Sequence, residues 1–385
     1  MKIVGIICEY NPLHLGHQKQ FRRIRETFDE DTAIVCLMSG NFVQRGAPAI
    51  VDKAVRAKAA VLSGADLVLE LPVTYALSSA EGFAAGGVSI LGGFCDYLCF
   101  GSETGDAAGL LDTAKALLSE EFAPRLREEL EKGLSFPAAR AAALEKMGLD
   151  GGILAKPNDI LATEYCKAIL AQGCAMEPMP ICREGSYHAE TPDPENPSAT
   201  AVRKLMVSSG TWEDFVPQVT TDLLREATLH SIAAGERAVL SKLRTMKDEE
   251  FEALPYGSEG LWRKFMHACR SERTLEKILA ATKSKRYTRT RLDRMVMCAF
   301  LGITKEALEE KAPYCRVLGF NDVGRGVLKQ AKQFGWFVNA GETVEHPYWQ
   351  LEKRCGDLYG LFVEGVPEAP GAEETYRVYY HREQP

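Results

Sequence analysis

From its first residues the chain alternates short β-branched apolar runs with longer amphipathic stretches. KIVGII precedes HQKQFRRIRETF, TAIVCLM precedes DKAVRAKAAVLSG, ADLVLELP precedes SAEGFAAGGVSILGG, and DYLCFGSE precedes AAGLLDTAKALLSEEF. A strand that is apolar at successive positions has to be covered on both faces, and a helix after each strand is the crossover that parallel pairing needs. The pattern predicts an α/β fold built on a doubly wound parallel sheet, with ligands bound beyond the carboxyl ends of the strands.

After Glu120 the pattern turns helical, through APRLREELEKGL, PAARAAALEKMG and ILATEYCKAILAQG, and AMEPMPICR is predicted to return to the sheet as a strand. The proline-rich stretch SYHAETPDPENPSATAVRKLM reads as a loop ending in a helix capped by Ser198. Beyond Gly210 the strand runs give way to helical segments. Two units are therefore predicted, a ligand-binding α/β domain over residues 1–210 and a mainly helical domain over residues 211–385, within which VLGFNDVGRG and the tail form a closing α/β subregion.

Composition fits this division, since 385 residues are many for one core. With 46% hydrophobic and 26% charged residues the chain reads as globular, and no run is apolar for long enough to serve as a signal peptide or a membrane span, so a cytoplasmic location is expected. The 11 cysteines sit mostly in apolar runs without a CxxC pair, which suggests reduced core residues. Cys95 and Cys99 fall on a predicted strand with spacing that points both to one side, but no metal site is expected. A net charge of -7 argues against a generally basic surface and leaves room only for a local basic face.

Candidate chemistry begins at HLGH, in the first strand-to-helix turn. Backbone N–H groups and the positive end of a helix dipole converge there, which suits a phosphate-bearing ligand. His14 and His17, three residues apart, share a face and add imidazole donors for triphosphate oxygens as charge builds at the α-phosphorus; Gly16 leaves the backbone open to a nucleotide. With 7 His and 33 Gly in the chain, HxGH is expected by accident about 0.01 times.

HxGH in this position resembles the nucleotidyltransferase superfamily that includes class I aminoacyl-tRNA synthetases. The blocks GIICEYNPLHLGH, MSGNFVQRGAPAIVDK, ADLVLELP, FGSE, KPNDILATEY, SATAVRK, RYTRTRLDR and VLGFN occur in the order of the bacterial tRNA-Met cytidine acetate ligase family, from Ile3 to about Asn321. The resemblance implies a Rossmann-like nucleotidyltransferase domain and a helical tRNA-binding domain. It also implies activation of acetate by ATP as acetyl-adenylate, followed by N4-acetylation of the wobble cytidine of elongator tRNA-Met, with Mg²⁺ accompanying ATP.

The resemblance further implies an ATP segment made of Ile7, Cys8, Glu9, Tyr10, Asn11, Pro12, Leu13, His14, Leu15, Gly16, His17, Gln18, Lys19 and Gln20, with nucleotide contacts at Gly101, Asn158 and Arg183. Asn158 or Asp159 is equally suited to cap the helix that follows. His14, His17, Ser198 and Arg203 are the catalytic candidates, the last two in a loop that closes over the triphosphate, with Lys204 as an alternative to Arg203 and His188 as a pocket wall. Asn41, Gln44 and Arg45 are candidates for acetate or cytidine contact.

KSKRYTRTRLDR is the local basic face, where Lys283, Lys285, Arg286, Arg289, Arg291 and Arg294 form a cluster suited to phosphate, with Lys285, Arg286, Arg289 and Arg291 as the tRNA contacts and Tyr287 placed to stack on a base; Arg22, Arg23 and Arg25 would extend it. Two other readings stay open: a metabolic adenylyltransferase, which leaves the basic helical half unexplained, and a non-catalytic ATP-dependent RNA-binding protein.

Overall fold

The computed structural model describes residues 1–28, 31–182, 193, 196–208, 210–284 and 286–382. The predicted strands form one sheet from β1 (Lys2–Cys8), β2 (Thr32–Ser39), β5 (Leu67–Leu71), β6 (Tyr97–Ser102) and β7 (Glu177–Cys182). A small hairpin, β3 (Phe42–Val43) with β4 (Ala47–Pro48), stands apart from it. The chain returns to the sheet late, as β8 (Cys315–Phe320), β9 (Phe337–Asn339) and β10 (Tyr379–Tyr380). Strand order is β10-β8-β5-β2-β1-β6-β7, with β9 also on β8.

Alternate residues of each strand go to opposite faces, and both faces are covered. Ile3, Val35, Leu69 and Val317 pack with Phe83, Val88, Tyr165 and Val327; Val4, Ile34, Val68 and Leu318 pack with Phe21, Ile24, Ala57 and Val61. Each fully buried Val, Leu, Ile or Phe side chain among them contributes about 1.5–3 kcal/mol. This is the doubly wound arrangement that the apolar runs predict.

The sheet is mixed, however, because β8 runs antiparallel to β5. Handedness and direction are constrained where one strand follows another through a single helix. β8 instead arrives after the helical segments that begin at Thr221, so no crossover fixes its direction. Asn321 secures the junction. Its Oδ1 accepts from the Gly324 N–H and caps the helix Asp322–Ala331, while its amide donates to Asp66, whose other oxygen holds the Ile34 N–H. Cys95 and Cys99 lie in the cores on opposite faces, so they do not point together. Among the described residues no helix is long and apolar enough to cross a membrane.

One buried ionic set ties the tail to the first half. Lys53 Nζ lies 2.8 Å from Glu70 and 2.6 Å from Glu373, all three nearly out of solvent. Burial alone would lower the lysine pKa, but Glu373 and then Glu70 outweigh it and hold it above the usual range. Burial raises the pKa of Glu373 in turn. Lys53→Met leaves two buried carboxylates without their cation and should destabilise the fold by about 3–5 kcal/mol in denaturant unfolding. A carboxylate with a raised folded pKa takes its proton more readily in the fold than in the unfolded chain, so this deficit should shrink as pH falls from 8 toward 5.

Candidate functional site

The carboxyl ends of β1 and β2 are held by Arg56, which has no exposed surface. Its guanidinium donates to the carbonyls of Val51 (2.9 Å), Glu9 (2.8 Å), Ser39 (2.9 Å) and Gly40. Above this clamp opens a cleft of about 410 Å³, bordered by the β1 end, the start of the helix Leu15–Phe28, the β6 end, the helix Pro157–Gln172, the β3–β4 hairpin and residues 196–200.

HLGH lies at its floor. His14 is buried and its ring stacks on that of His17 at 3.8 Å between centroids, with Tyr10 edge-on to His17 at 4.9 Å. Two tight contacts fix the pair: the His14 N–H donates to His17 Nδ1, and the Gly16 N–H to His14 Nδ1, each at 3.2 Å. A Cβ on Gly16 would stand 3.0 Å from the His14 ring. A side chain there would press on the His14 ring, so the glycine serves the histidine stack as well as the opening of the cleft.

Of the expected ATP segment, Ile7, Cys8, Glu9, Tyr10, Asn11, His14, Gly16, His17, Lys19 and Gln20 line the cleft, whereas Pro12, Leu13, Leu15 and Gln18 do not. Leu13 is instead packed into the core beneath. Gly101 and Asn158 line the cleft as expected. Asn158 is not the cap of its helix. That role falls to Glu103, just past β6, whose carboxylate accepts from the Asn158 and Asp159 N–H groups at 3.1 and 2.8 Å and from the Asn158 amide at 2.7 Å. Asp159 returns the contact, accepting from Ser102 and from the Glu103 N–H.

Ser198 caps the helix Ala199–Val207 through the Ala201 N–H at 3.1 Å and also borders the cleft. Arg203 faces the histidines' side of the site, with Nη1 2.5 Å from the Asn11 carbonyl. Burial lowers its pKa, Glu9 opposes that shift and Arg45 adds to it, yet a guanidinium stays charged at neutral pH. Lys204 is exposed and does not line the cleft. Gln44 and Arg45 line it, whereas Asn41 accepts from the Lys53 N–H and serves the hairpin. Arg183 and His188 lie outside the described residues.

Arg23, expected to extend the basic face, lines the cleft one turn after Lys19. Other groups of the cleft have little signal in the sequence: Asn196 joins the far wall to Lys19 Nζ at 3.2 Å. Phe83, Phe100, Leu161 and Tyr165 supply an apolar side. Arg25 turns away to Thr32 and Asp66 and is structural, and Arg22 is exposed beside Glu26.

The basic run is less free than its sequence suggests. Arg286 pairs with Glu259 at 2.9 Å, Arg289 spans Glu276 and Asp293 at 2.7 and 2.9 Å, and Arg291 donates to the Tyr256 carbonyl and Ser258. The Tyr287 ring is already covered by Arg291 at 4.9 Å. Lys285 lies outside the described residues.

A family model described as HIGH Nucleotidyl Transferase matches residues 1–370. The chain is 40% identical over 386 residues to a Clostridium novyi protein named tRNA(Met) cytidine acetate ligase, covering 95% of this chain and 94% of that one. It belongs to the tRNA(Met) cytidine acetate ligase family. A relative of the same name from Anoxybacillus flavithermus is 35% identical with 98% of both chains covered. Thermotoga maritima TmcAL in its apo crystal form, 30% identical, superposes over 100% of both chains with a TM-score of 0.91. The same protein bound with alpha-thio ATP gives 0.88. The family assignment agrees with a cleft rich in N–H donors and cations at the carboxyl edge of β1.

Glu103→Ala removes an acceptor shared by two helix-start N–H groups and by the Asn158 amide. Stability should fall by about 1 kcal/mol, and calorimetry should show ATP binding weakened severalfold. Lost stability with unchanged ATP affinity would show that Glu103 does not position Asn158 for the nucleotide.

Proposed function

We propose that this chain is an ATP-dependent ligase that activates acetate as acetyl-adenylate and transfers the acetyl group to N4 of the wobble cytidine of elongator tRNA-Met, in the cytoplasm. The observation that carries the reading is the fixed His14–His17 stack at the start of the helix Leu15–Phe28, with Arg203 across the same cleft. The relatives named tRNA(Met) cytidine acetate ligase and the ATP-analogue complex of TmcAL support it.

In this reading the triphosphate lies along the helix start, where His14, His17, Lys19 and Arg203 supply donors and positive charge. Gly101 and Asn158 take the nucleoside end, against Phe100 and Tyr165. A carboxylate oxygen of acetate attacks the α-phosphorus and pyrophosphate leaves; the cytidine amine then attacks the acetyl carbon and AMP leaves with that oxygen. Donors already aimed at the phosphate need no reorganisation as charge shifts, an effect worth about 2.7–4 kcal/mol per donor in well-formed sites.

Among the described residues no cluster of three or more His, Cys, Asp or Glu forms a metal cage. Mg²⁺ is ordinarily held by one or two carboxylates together with substrate phosphates and water, which a site offering Glu9 beside the triphosphate fits. Bound there, the ion would offset phosphate charge.

The tRNA contacts are Lys285, Arg286, Arg289 and Arg291. The Arg286–Glu259 and Arg289–Glu276 pairs are exposed, and exposed pairs are worth about 0–1 kcal/mol each, so these carboxylates exchange readily for RNA phosphates.

Purified protein incubated with ATP, Mg²⁺, labelled acetate and elongator tRNA-Met should place label in RNA and release AMP and pyrophosphate. Acetate-dependent pyrophosphate exchange without labelled RNA would contradict the acceptor, and no ATP turnover would contradict the enzyme. His17→Ala should lower adenylation by roughly 100-fold or more with RNA affinity retained. The Arg286→Glu, Arg289→Glu pair should instead weaken RNA binding and flatten its salt dependence, leaving acetate-dependent exchange intact.

A further inference from the structure

The cleft wall formed by the β3–β4 hairpin is not held by the α/β half alone. Phe42 inserts into the core of the helical half, edge-on to Tyr359 and Phe362. The outer turn is seated on the helix Arg289–Leu301: Arg294 Nη1 donates to the Gln44 carbonyl at 3.2 Å. Gly46, at φ +78°, lies so close to this helix that a Cβ would stand 2.3 Å from the Arg294 nitrogen. On its other side Gln44 donates its N–H to Glu9 Oε1 at 2.9 Å, at the end of β1.

Arg294 is itself well placed to report on its surroundings. Its guanidinium lies 5.1 Å from the centre of the Tyr256 ring, and the Tyr256 carbonyl accepts from Arg291 at 2.7 Å. Arg294 Nε is buried and has no hydrogen-bond partner among the described residues. A charged group this buried would ordinarily be fully paired, so a bonded Gln44 carbonyl is a contact the site has reason to keep.

We propose that Arg294 is a positioning residue for the adenylation cleft: through the Gln44 carbonyl it fixes the hairpin that carries Gln44 and Arg45 against Glu9, so that the helical half completes the site. The proposal rests on the functional reading above. Lysine at this position keeps the charge but loses the planar fork that spans the Tyr256 ring and the Gln44 carbonyl.

The test compares wild type, Arg294→Lys, Gly46→Ala and the double variant in the full chain. Hydrogen exchange of the amides in residues 42–49 should rise at least tenfold in Arg294→Lys while β1 stays protected, because a loop freed from its anchor opens locally. The kcat of acetate-dependent ATP–pyrophosphate exchange should fall roughly tenfold, with KM for ATP and the Kd for tRNA within about twofold, as misplacement of a cleft wall costs rate before binding. Gly46→Ala pushes the same turn off the same helix, so the double variant should lose little more than either single one.

Unchanged exchange in residues 42–49 would overturn the proposal. So would full additivity, or a loss confined to tRNA affinity, which would make Arg294 an RNA contact. If wild type itself shows no acetate-dependent pyrophosphate exchange, the functional reading fails, while raised hydrogen exchange in Arg294→Lys would still support control of the hairpin by this residue.

Discussion

The Arg56 guanidinium, buried under the carboxyl ends of β1 and β2, donates to four carbonyls, and the rest of the site takes its place from that contact. Strand ends leave backbone carbonyls that must find donors, and a parallel sheet brings several of them to one edge. Arg56 satisfies the carbonyls of Glu9, Ser39 and Gly40 from below, and the turn that follows closes on itself through the His14 and Gly16 N–H groups and carries the His14 and His17 rings to the cleft. Burial pulls the pKa of Arg56 down, and the nearby Tyr359, Asp52 and Glu9 act against that shift. A neutral side chain here would orphan several carbonyls at once, at about 1–3 kcal/mol each.

From that edge the cleft is assembled from segments far apart in the chain. β1 and the HLGH turn supply one wall, Gly101 and Asn158 a second, and the helix capped by Ser198 a third. The hairpin supplies the fourth, and its position depends on both halves. Phe42 is packed among helical-half aromatics, the Tyr359 hydroxyl donates to the Ala49 carbonyl at 2.8 Å, and Glu373 from the tail reaches Lys53 at the next helix start. The helical half thus braces one wall of the cleft from behind, through Phe42, Ala49 and Lys53, without lining the cleft itself.

The strand runs, the helix cap at Ser198 and the HLGH turn were legible in the sequence because each depends on neighbours a few residues away. What escaped depends on distant partners. Arg56 reads as one more cation in DKAVRAKAAVLSG, and only the fold shows it under two strand ends. Asn158 was legible as a polar group beside a helix start, but its partner Glu103 lies 55 residues earlier. The basic run near Arg289 looked free because Glu259 and Glu276 oppose it only in three dimensions. The direction of β8 was not encoded in its own apolar pattern, which suits either orientation.

If this cleft joins acetate to the α-phosphorus of ATP before acyl transfer, one acetate oxygen must leave with AMP. Incubation with doubly ¹⁸O-labelled acetate, ATP and elongator tRNA-Met, followed by mass spectrometry of the products, should find one ¹⁸O in AMP and none in pyrophosphate for each acetyl group transferred. Unlabelled AMP, or ¹⁸O recovered in inorganic phosphate, would show that acetate is activated another way.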